Sequence, residues 1–304
     1  MQNRRRITVI RRWERPAAHI GQTWDIDTGF TSQDAQSDFN RARRRAALHR
    51  LADRLRGQAG DVSTLLPFTE VVDALGRTGE RRIGLKTIPL GSIVGSVDRA
   101  EEFDRDFRPR SARVRGRWQR INVAQRRGEG MPPIEVLRVG GLHFVVDGHH
   151  RVSVARHLGH DVIEAYVTEI TTRVSPEQGL KLADLPAKSH ERLFVERVPL
   201  TVEERSRISF SDPAAGYAEL AEAVEAWGFR LMQGLNELLD RREVAEAWFE
   251  DEFAPVVESL READLIGRGT EADAYIRIVR KRYMLLRTHE WDEDVIARLR
   301  AALD

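Results

Sequence analysis

One stretch of the chain, residues 144–159, predicts three elements in immediate succession. Phe144–Val146 is apolar and rich in β-favouring residues, so it predicts a strand. Asp147-Gly148 is a turn signal, because glycine accepts backbone angles that other residues resist. Apolar residues then recur at helical spacing from Val152 to Leu158, and Gly159 stands where a helix C-terminus favours glycine. The stretch therefore reads as strand, tight turn and helix.

The predicted turn carries three side chains that can bind an anion. His149, His150 and Arg151 fall in the first turn of the helix. A helix N-terminus offers free N–H groups and the positive end of the helix dipole, which suit phosphate. The guanidinium group of Arg151 can grip two phosphate oxygens at once. On physical grounds the turn is a candidate site for an anion or for the phosphates of a nucleotide.

The run Asp147-Gly148-His149-His150-Arg151 resembles the signature turn of the ParB/sulfiredoxin superfamily. Sulfiredoxins carry Gly-Cys-His-Arg at this place, ParB partition proteins Gly-Glu-Arg-Arg, and the ParB-like free-serine kinases Asp-Gly-His-Thr-Arg. Ile88–Ile93 resembles the opening strand of the ParB N-terminal domain, Met131–Val136 its P-I-x-V strand, and Val162–Val167 its closing strand. The resemblance spans residues 83–170 and implies an α+β fold with a small mixed sheet.

The resemblance implies that the turn binds a nucleoside triphosphate, CTP or ATP, with Mg²⁺. Gly148, His149, His150 and Arg151 would hold the phosphates. Ser153, one turn further on, would touch a phosphate or be an ordinary helix residue. Hydrolysis of the triphosphate, transfer of its phosphate and mere sensing all stay open. Arg151→Ala is expected to abolish triphosphate binding and to leave the fold intact.

Acidic residues near the turn are candidates for catalysis. Asp147 could bind the metal or act as general base, and capping of the following helix is an equal alternative. The serine kinases carry a general base early in the domain, and ParB proteins place arginines near the nucleotide there. Asp98 and Arg99 form the best such pair, although ordinary surface ion pairs would explain them too. The alternatives are Glu101, Glu102 and Asp104.

Composition limits the chemistry. The chain of 304 residues has no cysteine, which excludes disulfides and thiolate chemistry. It also excludes sulfiredoxin activity, because the reactive cysteine of that family aligns with His149. The net charge is +1, so any nucleic-acid affinity must come from local patches. No secretory leader or transmembrane-length apolar run is evident, which predicts a bacterial-type cytoplasmic protein with no membrane partner.

The sequence predicts four parts: a basic arm with helices over 1–80, a nucleotide-binding domain over 81–172, a connector over 173–210, and an all-α C-terminal domain over 211–304. The connector contains three prolines and no strong period. Trp227, Trp248 and Trp291 are expected to be core residues. Helices are predicted at Ser32–Arg56, Leu66–Leu75, Ala112–Arg127, Pro213–Asp240, Val244–Phe253, Pro255–Leu260, Thr270–Leu286 and Asp292–Leu303, with a turn at Gly76–Gly79.

The first predicted helix suggests a second function. Its apolar face runs from Phe39 to Leu55, and the rest is rich in arginine. Arg41, Arg44 and Arg45 could lie along a DNA backbone, or they could form a solvated face. The alternative function is therefore a nucleotide-gated, partition-type DNA-binding protein without catalysis, with the C-terminal helices forming a homodimer. The lack of a recognisable helix-turn-helix counts against this function.

A third hypothesis is a metal site. The spacing matches no HExxH or facial-triad pattern, and histidines at a helix C-terminus are also favoured by the helix dipole. A metal-dependent nuclease is the corresponding further alternative. The candidate ligands are His143, Asp147, His149, His150, His157, His160 and Asp161.

Overall fold

The computed structural model describes residues 31–55 and 64–286, with four further positions at 295, 297, 298 and 301. These residues form a mixed α+β fold with one six-stranded mixed sheet and a helical C-terminal region, which confirms the predicted fold class in this coarse form. The strands are β1 (Leu66–Pro67), β2 (Arg77–Pro89), β3 (Ile93–Ser96), β4 (Ile134–Val139), β5 (Leu142–Asp147) and β6 (Val162–Thr172). The helices are α1 (Thr31–Leu55), α2 (Phe68–Leu75), α3 (Arg115–Arg126), α4 (His149–His157), α5 (Leu185–Arg197), α6 (Val202–Ser206), α7 (Pro213–Leu235), α8 (Arg241–Trp248), α9 (Ala254–Glu262) and α10 (Glu271–Leu286).

The sheet order β1-β3-β5-β4-β6-β2 places β5, which leads into α4, in the interior of the sheet. Strand β5 pairs in parallel with β3 and antiparallel with β4. Val145 therefore lies beside Ser96 on one side and beside Val136 on the other. Strand β4 also pairs in parallel with β6, which pairs antiparallel with β2. The turn after β5 thus starts from a strand that is held on both edges.

Both faces of β5 are covered, which explains its continuous apolar sequence. Phe144 packs into the core that β5 shares with the C-terminal helices. Val145 points into a second core, together with Val152 and Ala155 of α4. Burying a side chain of this kind stabilises a fold by about 1.5–3 kcal/mol. The strand, the turn and the helix predicted over 144–159 are therefore confirmed and are anchored on both sides.

Helix α1 confirms the first predicted helix within one residue of its described range. Phe39, Ala42 and Ala46 are buried, as the apolar face predicts. The predicted continuation of this face to Leu48 and Leu51 is wrong, because the two residues are 64% and 54% exposed. No described element covers the helix at these positions.

The segment before the sheet differs from its prediction. The predicted helix Leu66–Leu75 begins as the short strand β1, and only Phe68–Leu75 is helical. The predicted turn at Gly76–Gly79 is wrong, because Gly76 ends α2 with a φ of +71° and β2 begins at once.

The sequence pattern did not predict strand β2. It is an edge strand that pairs with β6 and is mostly exposed, so its residues lack the apolar alternation by which strands are recognised. The predicted strand Ile88–Ile93 is wrong as a single element. Strand β2 ends at Pro89, a 3-10 turn covers Leu90–Ser92, and β3 begins at Ile93.

The segment predicted as a connector, residues 173–210, contains the helices α5 and α6. Phe194, Val195 and Val198 are buried in the core shared with α7. These apolar residues are clustered at one end of α5 and give no sustained period, so the pattern could not predict the helix. The boundaries of the four predicted parts stay a prediction.

The C-terminal helices follow their predictions closely. Helix α7 ends at Leu235 rather than Asp240, because Asn236 adopts the left-handed conformation with a φ of 53°. Trp248 is fully buried and Trp227 is partly buried, as expected for core residues. Residues Arg4–Arg6 of the basic arm, Trp291 and most of the predicted helix Asp292–Leu303 lie outside the described residues.

Across the ranges that the structure describes, no helix combines the length and the apolar composition that crossing a membrane requires.

Candidate functional site

The turn between β5 and α4 depends on glycine. Gly148 has a φ of +105°, a conformation that side chains other than glycine rarely adopt. A Cβ atom at this position would lie 2.4 Å from Cγ2 of Ile134 on the neighbouring strand β4. The turn is thus pressed against the sheet, and the N–H groups of α4 begin directly at its edge.

Arg151 holds this turn in place. Its Nη1 donates hydrogen bonds to the carbonyl oxygens of Pro132 (2.6 Å) and Pro133 (2.8 Å), and its Nη2 donates to Oδ2 of Asp147. The residue is 9% exposed. Arg151 therefore ties the turn to the segment before β4, and the fork predicted for phosphate is already engaged with protein acceptors.

Asp147 does not cap the helix. No side-chain hydrogen bond caps the N-terminus of α4, and one carboxylate oxygen of Asp147 accepts from Arg151 instead. Its side chain is 59% exposed at the edge of the turn. The alternative of a capping role is therefore wrong, and the carboxylate stays accessible to a ligand.

His149 is a buried, neutral group. Its Nε2 lies 2.7 Å from Oγ of Ser96, which also accepts a hydrogen bond from the backbone N–H of Arg99. Its ring stacks on Phe103 with a centroid distance of 6.2 Å. Burial lowers the pKa of His149 to about 4, although the nearby carboxylate of Asp98 acts to raise it.

His150 carries a polar atom without a partner. The residue is 6% exposed, and its Nδ1 has no hydrogen-bond partner among the described residues. Phe103 meets the ring edge to face at 5.5 Å and fixes its position. Burial lowers the pKa of His150 to about 4, and the positive charges of Arg117 and Arg99 act in the same direction. Leaving a buried donor or acceptor without a hydrogen bond lowers stability by about 1–3 kcal/mol, so a ligand that forms a hydrogen bond with this atom would be favourable.

These groups surround one small recess at the N-terminus of α4, with a volume of about 10 Å³, which is room for about one water molecule. Its wall brings together the candidate residues Arg99, Asp147 and the run Gly148–Arg151, and it adds Arg117 and Ile121 of α3. We call this the turn recess. Asp98 is exposed and is close enough to act on the charge of His149.

A shallower cleft adjoins the turn recess and has a volume of about 360 Å³. The two share Arg117, Ile121 and Arg151 in their walls. The rest of the cleft is mostly apolar, with Ala124, Met131 and Pro132 among its lining residues. A charged recess beside an apolar cleft suits a ligand with one anionic and one apolar end.

Ser153 does not reach the turn recess. Its hydroxyl accepts a hydrogen bond from Nε1 of Trp118 at 2.8 Å, and the residue lines a separate cavity. Ser153 therefore faces Trp118 of α3, whereas His149, His150 and Arg151 at the start of α4 line the recess.

The alternative acidic residues have other roles. Glu102 lies 3.5 Å from Nη1 of Arg99 in a surface pair. Asp104 is buried and accepts hydrogen bonds from the backbone N–H groups of Asp106 and Arg108, which orders the loop. Burial raises the pKa of Asp104. Glu101 is exposed, and none of the three lines the turn recess.

The candidate metal ligands are dispersed among protein partners. Nδ1 of His143 lies 2.9 Å from Ser92, and Nε2 of His157 lies 3.2 Å from a carboxylate oxygen of Asp38. Within the described ranges, no three histidine, aspartate or glutamate side chains converge as a metal-binding group. The nuclease alternative stays a prediction.

Two site residues were missed by the sequence analysis. Ser96 lies far from His149 in the chain and reaches it because β3 pairs with β5. Arg117 belongs to an arginine-rich helix in which nothing distinguishes it from its neighbours. Only the packing of α3 against α4 reveals its place.

No family model, curated protein or solved structure matches the chain.

Proposed function

We propose that the chain is a nucleoside-triphosphate-binding protein of the ParB/sulfiredoxin type, with the phosphates bound at the entrance of the turn recess. The unpartnered Nδ1 of His150, buried in the wall of this recess, carries the proposal. A neutral imidazole with its proton on Nδ1 would donate to a phosphate oxygen. Bound phosphate would thus satisfy a buried atom that has no partner among the described residues.

Charge supports the same ligand. Arg99 and Arg117 lie in the recess wall, and the N-terminus of α4 adds its free N–H groups and its dipole. Arg151 is engaged with the protein, so it would act by positioning the turn. The phosphate-binding cations are then Arg99 and Arg117.

The residues present also fit Mg²⁺. This cation binds nucleotides through one or two carboxylates and the phosphates themselves. Asp147 stands at the recess with an exposed carboxylate, and Asp98 is exposed nearby. When bound, Mg²⁺ would neutralise phosphate charge. The apolar cleft beside the recess would receive the nucleoside, and CTP and ATP are the two candidates.

Exchange of Arg117 tests this proposal. We expect Arg117→Gln to weaken binding of ATP or CTP by about tenfold, because one charge-assisted contact is lost. Isothermal titration with each nucleotide, with and without Mg²⁺, measures the effect. Arg113→Gln is the matched control, since Arg113 is exposed nearby but lines neither the recess nor the cleft. Absence of saturable binding of both nucleotides to the wild type would refute the proposal, and equal affinities of the two variants would refute the role of Arg117.

A second candidate function, nucleic-acid binding, is favoured by the surface around α3. Residues 110–128 contain no acidic residue. Helix α1 packs against α3 through Phe39 and Trp118, and α1 adds its own exposed arginines to this surface. Of the predicted residues, Arg44 and Arg45 are exposed and Arg41 is half-buried. The exposed arginines of the combined surface are Arg43, Arg44, Arg45, Arg113, Arg117, Arg120 and Arg127.

Salt dependence tests the second function. We expect a triple exchange of Arg113, Arg120 and Arg127 to glutamine to weaken duplex DNA binding and to reduce its salt slope by about one per lost phosphate contact. Fluorescence anisotropy at several salt concentrations measures both quantities. The control exchanges Arg81, Arg242 and Arg280, which are equally charged, exposed and paired with glutamates elsewhere. If both triple variants lost the same DNA affinity, the loss would reflect net charge alone. This surface would then be excluded as the DNA-binding site.

A further inference from the structure

A second cavity lies further along α4, with a volume of about 260 Å³. Helix α1, the loop around residues 106–109 and the later part of α4 enclose it. It shares no lining residue with the turn recess, and no function has been assigned to it above. We call it the α1 cavity.

Arg156 gives the α1 cavity a buried positive charge. Its guanidinium donates hydrogen bonds to the carbonyl oxygens of Leu90 (2.6 Å), Ile93 (2.7 Å) and Arg105 (3.3 Å), and it lies over the ring of Phe107. No carboxylate of the described chain lies within ion-pair distance of it. Burial lowers the pKa of Arg156. The carboxylates of Asp104 and Asp106 act on this charge from beyond ion-pair distance, but all hydrogen bonds of the guanidinium go to neutral carbonyls, which favours an anion nearby.

Two further arginines line the α1 cavity. Arg108 pairs with Asp106 at 2.9 Å, so this cation and the single lining carboxylate offset each other. Arg45 reaches the cavity from α1 and forms no ion pair within the part of the chain that the structure describes. Asp104 lies 3.8 Å from Nη1 of Arg108 and adds a second carboxylate near the wall, so three arginines and two carboxylates leave an excess of one positive charge.

Ser153 adds a neutral donor to the wall. The residue is 3% exposed, and its Oγ already accepts a hydrogen bond from Nε1 of Trp118. Its own hydroxyl proton has no acceptor among the described residues. A hydroxyl with a free proton and cationic neighbours is a typical donor set for an oxyanion.

We propose that the α1 cavity binds a phosphate-class oxyanion, held by Arg45, Arg156 and the hydroxyl of Ser153. The anion bridges α1 and α4, because Arg45 belongs to the first helix and the other two residues to the second. Binding here does not depend on the turn recess. A volume of about 260 Å³ accommodates either inorganic phosphate or the phosphate group of a small organic molecule.

The indole N–H resonance of Trp118 reports on this cavity, because the hydrogen bond from Trp118 ends on Ser153. We expect inorganic phosphate to shift this resonance in a saturable manner when the full-length protein is titrated by NMR. Sodium chloride at equal ionic strength serves as the reference. A shift that does not saturate, or that chloride reproduces, would overturn the proposal.

Arg45 of α1 and Arg82 of β2 provide the matched variants. We expect Arg45→Gln to weaken phosphate binding at least about fivefold, since it removes one charge-assisted contact. Arg82→Gln removes the same charge from an exposed position that does not line the cavity, so its affinity should equal that of the wild type. Equal weakening in both variants would mean nonspecific attraction and would overturn the proposal.

A further variant separates the two anion sites. Arg117→Gln alters the turn recess and the adjoining cleft but not the α1 cavity, so the phosphate shift of Trp118 should persist in it. Loss of that shift would place the phosphate in the turn recess and overturn the proposal. Glycerol 3-phosphate identifies the source of the anion: tighter binding than phosphate indicates an organic phosphate, and equal or weaker binding indicates the free anion.

Discussion

Gly148→Ala is expected to destabilise the protein by about 3 kcal/mol or more, because it combines backbone strain with a steric clash. The φ of +105° disfavours any side chain, and the new Cβ would lie 2.4 Å from Cγ2 and 2.8 Å from Cβ of Ile134. Ile134 is fully buried, so it has no room to move away. For a chain of 304 residues a loss of about 3 kcal/mol should lower the melting temperature by roughly 5 °C. Thermal unfolding followed by circular dichroism measures the change.

Gly141 provides the matched control at the other end of β5. A Cβ at this position would meet nothing within 4 Å, and the residue does not have a positive φ. Gly141→Ala should therefore change stability by less than about 1 kcal/mol. If Gly148→Ala unfolds at the wild-type temperature, the turn can relax and does not require glycine.

The local chemistry of residues 144–159 was sufficient to predict the strand, the turn and the helix. Each of these elements is specified by residues close together in sequence: an apolar run, a glycine and a helical period. The same applies to the C-terminal helices, where capping residues mark the starts. Thr270 and Asp273, for example, exchange hydrogen bonds at the beginning of α10.

What the sequence could not predict depends on contacts between distant segments. Strand β2 is a strand because β6 pairs with it, and its polar residues give no sign of this. Ser96 joins the candidate site through the pairing of β3 with β5, and Arg117 joins it through the packing of α3. A single sequence shows which residues can bind phosphate, but it does not show which of them the fold leaves accessible.

Arg151 illustrates this limit. Its position after the turn predicts a phosphate-binding fork, and the structure shows the same fork holding two backbone carbonyls and Asp147. The guanidinium geometry that suits phosphate also suits a set of neighbouring protein oxygens. The expectation that Arg151→Ala leaves the fold intact therefore has to be revised.

We now expect Arg151→Ala to destabilise the protein by about 3 kcal/mol, because the carbonyl oxygens of Pro132 and Pro133 lose their donors in a largely buried site. Arg151→Lys should destabilise it almost as much, since one ammonium group cannot serve three acceptors in a fixed fork. Urea unfolding of both variants, followed by nucleotide titration at a temperature where they are folded, measures the two effects separately.

The lysine variant decides between the two roles of Arg151, because it keeps the positive charge and loses the fork. If the residue mainly supplies charge to a phosphate, Arg151→Lys retains stability and much of the nucleotide affinity, and only Arg151→Ala loses binding. If it mainly positions the turn, both variants lose stability together. Asp147→Asn, at a side chain that is 59% exposed, should then cost less than about 1 kcal/mol, because the amide oxygen can still accept from Arg151. Wild-type stability in Arg151→Ala would show that the turn is held by Gly148 and the sheet alone, and it would return Arg151 to the phosphate-binding role.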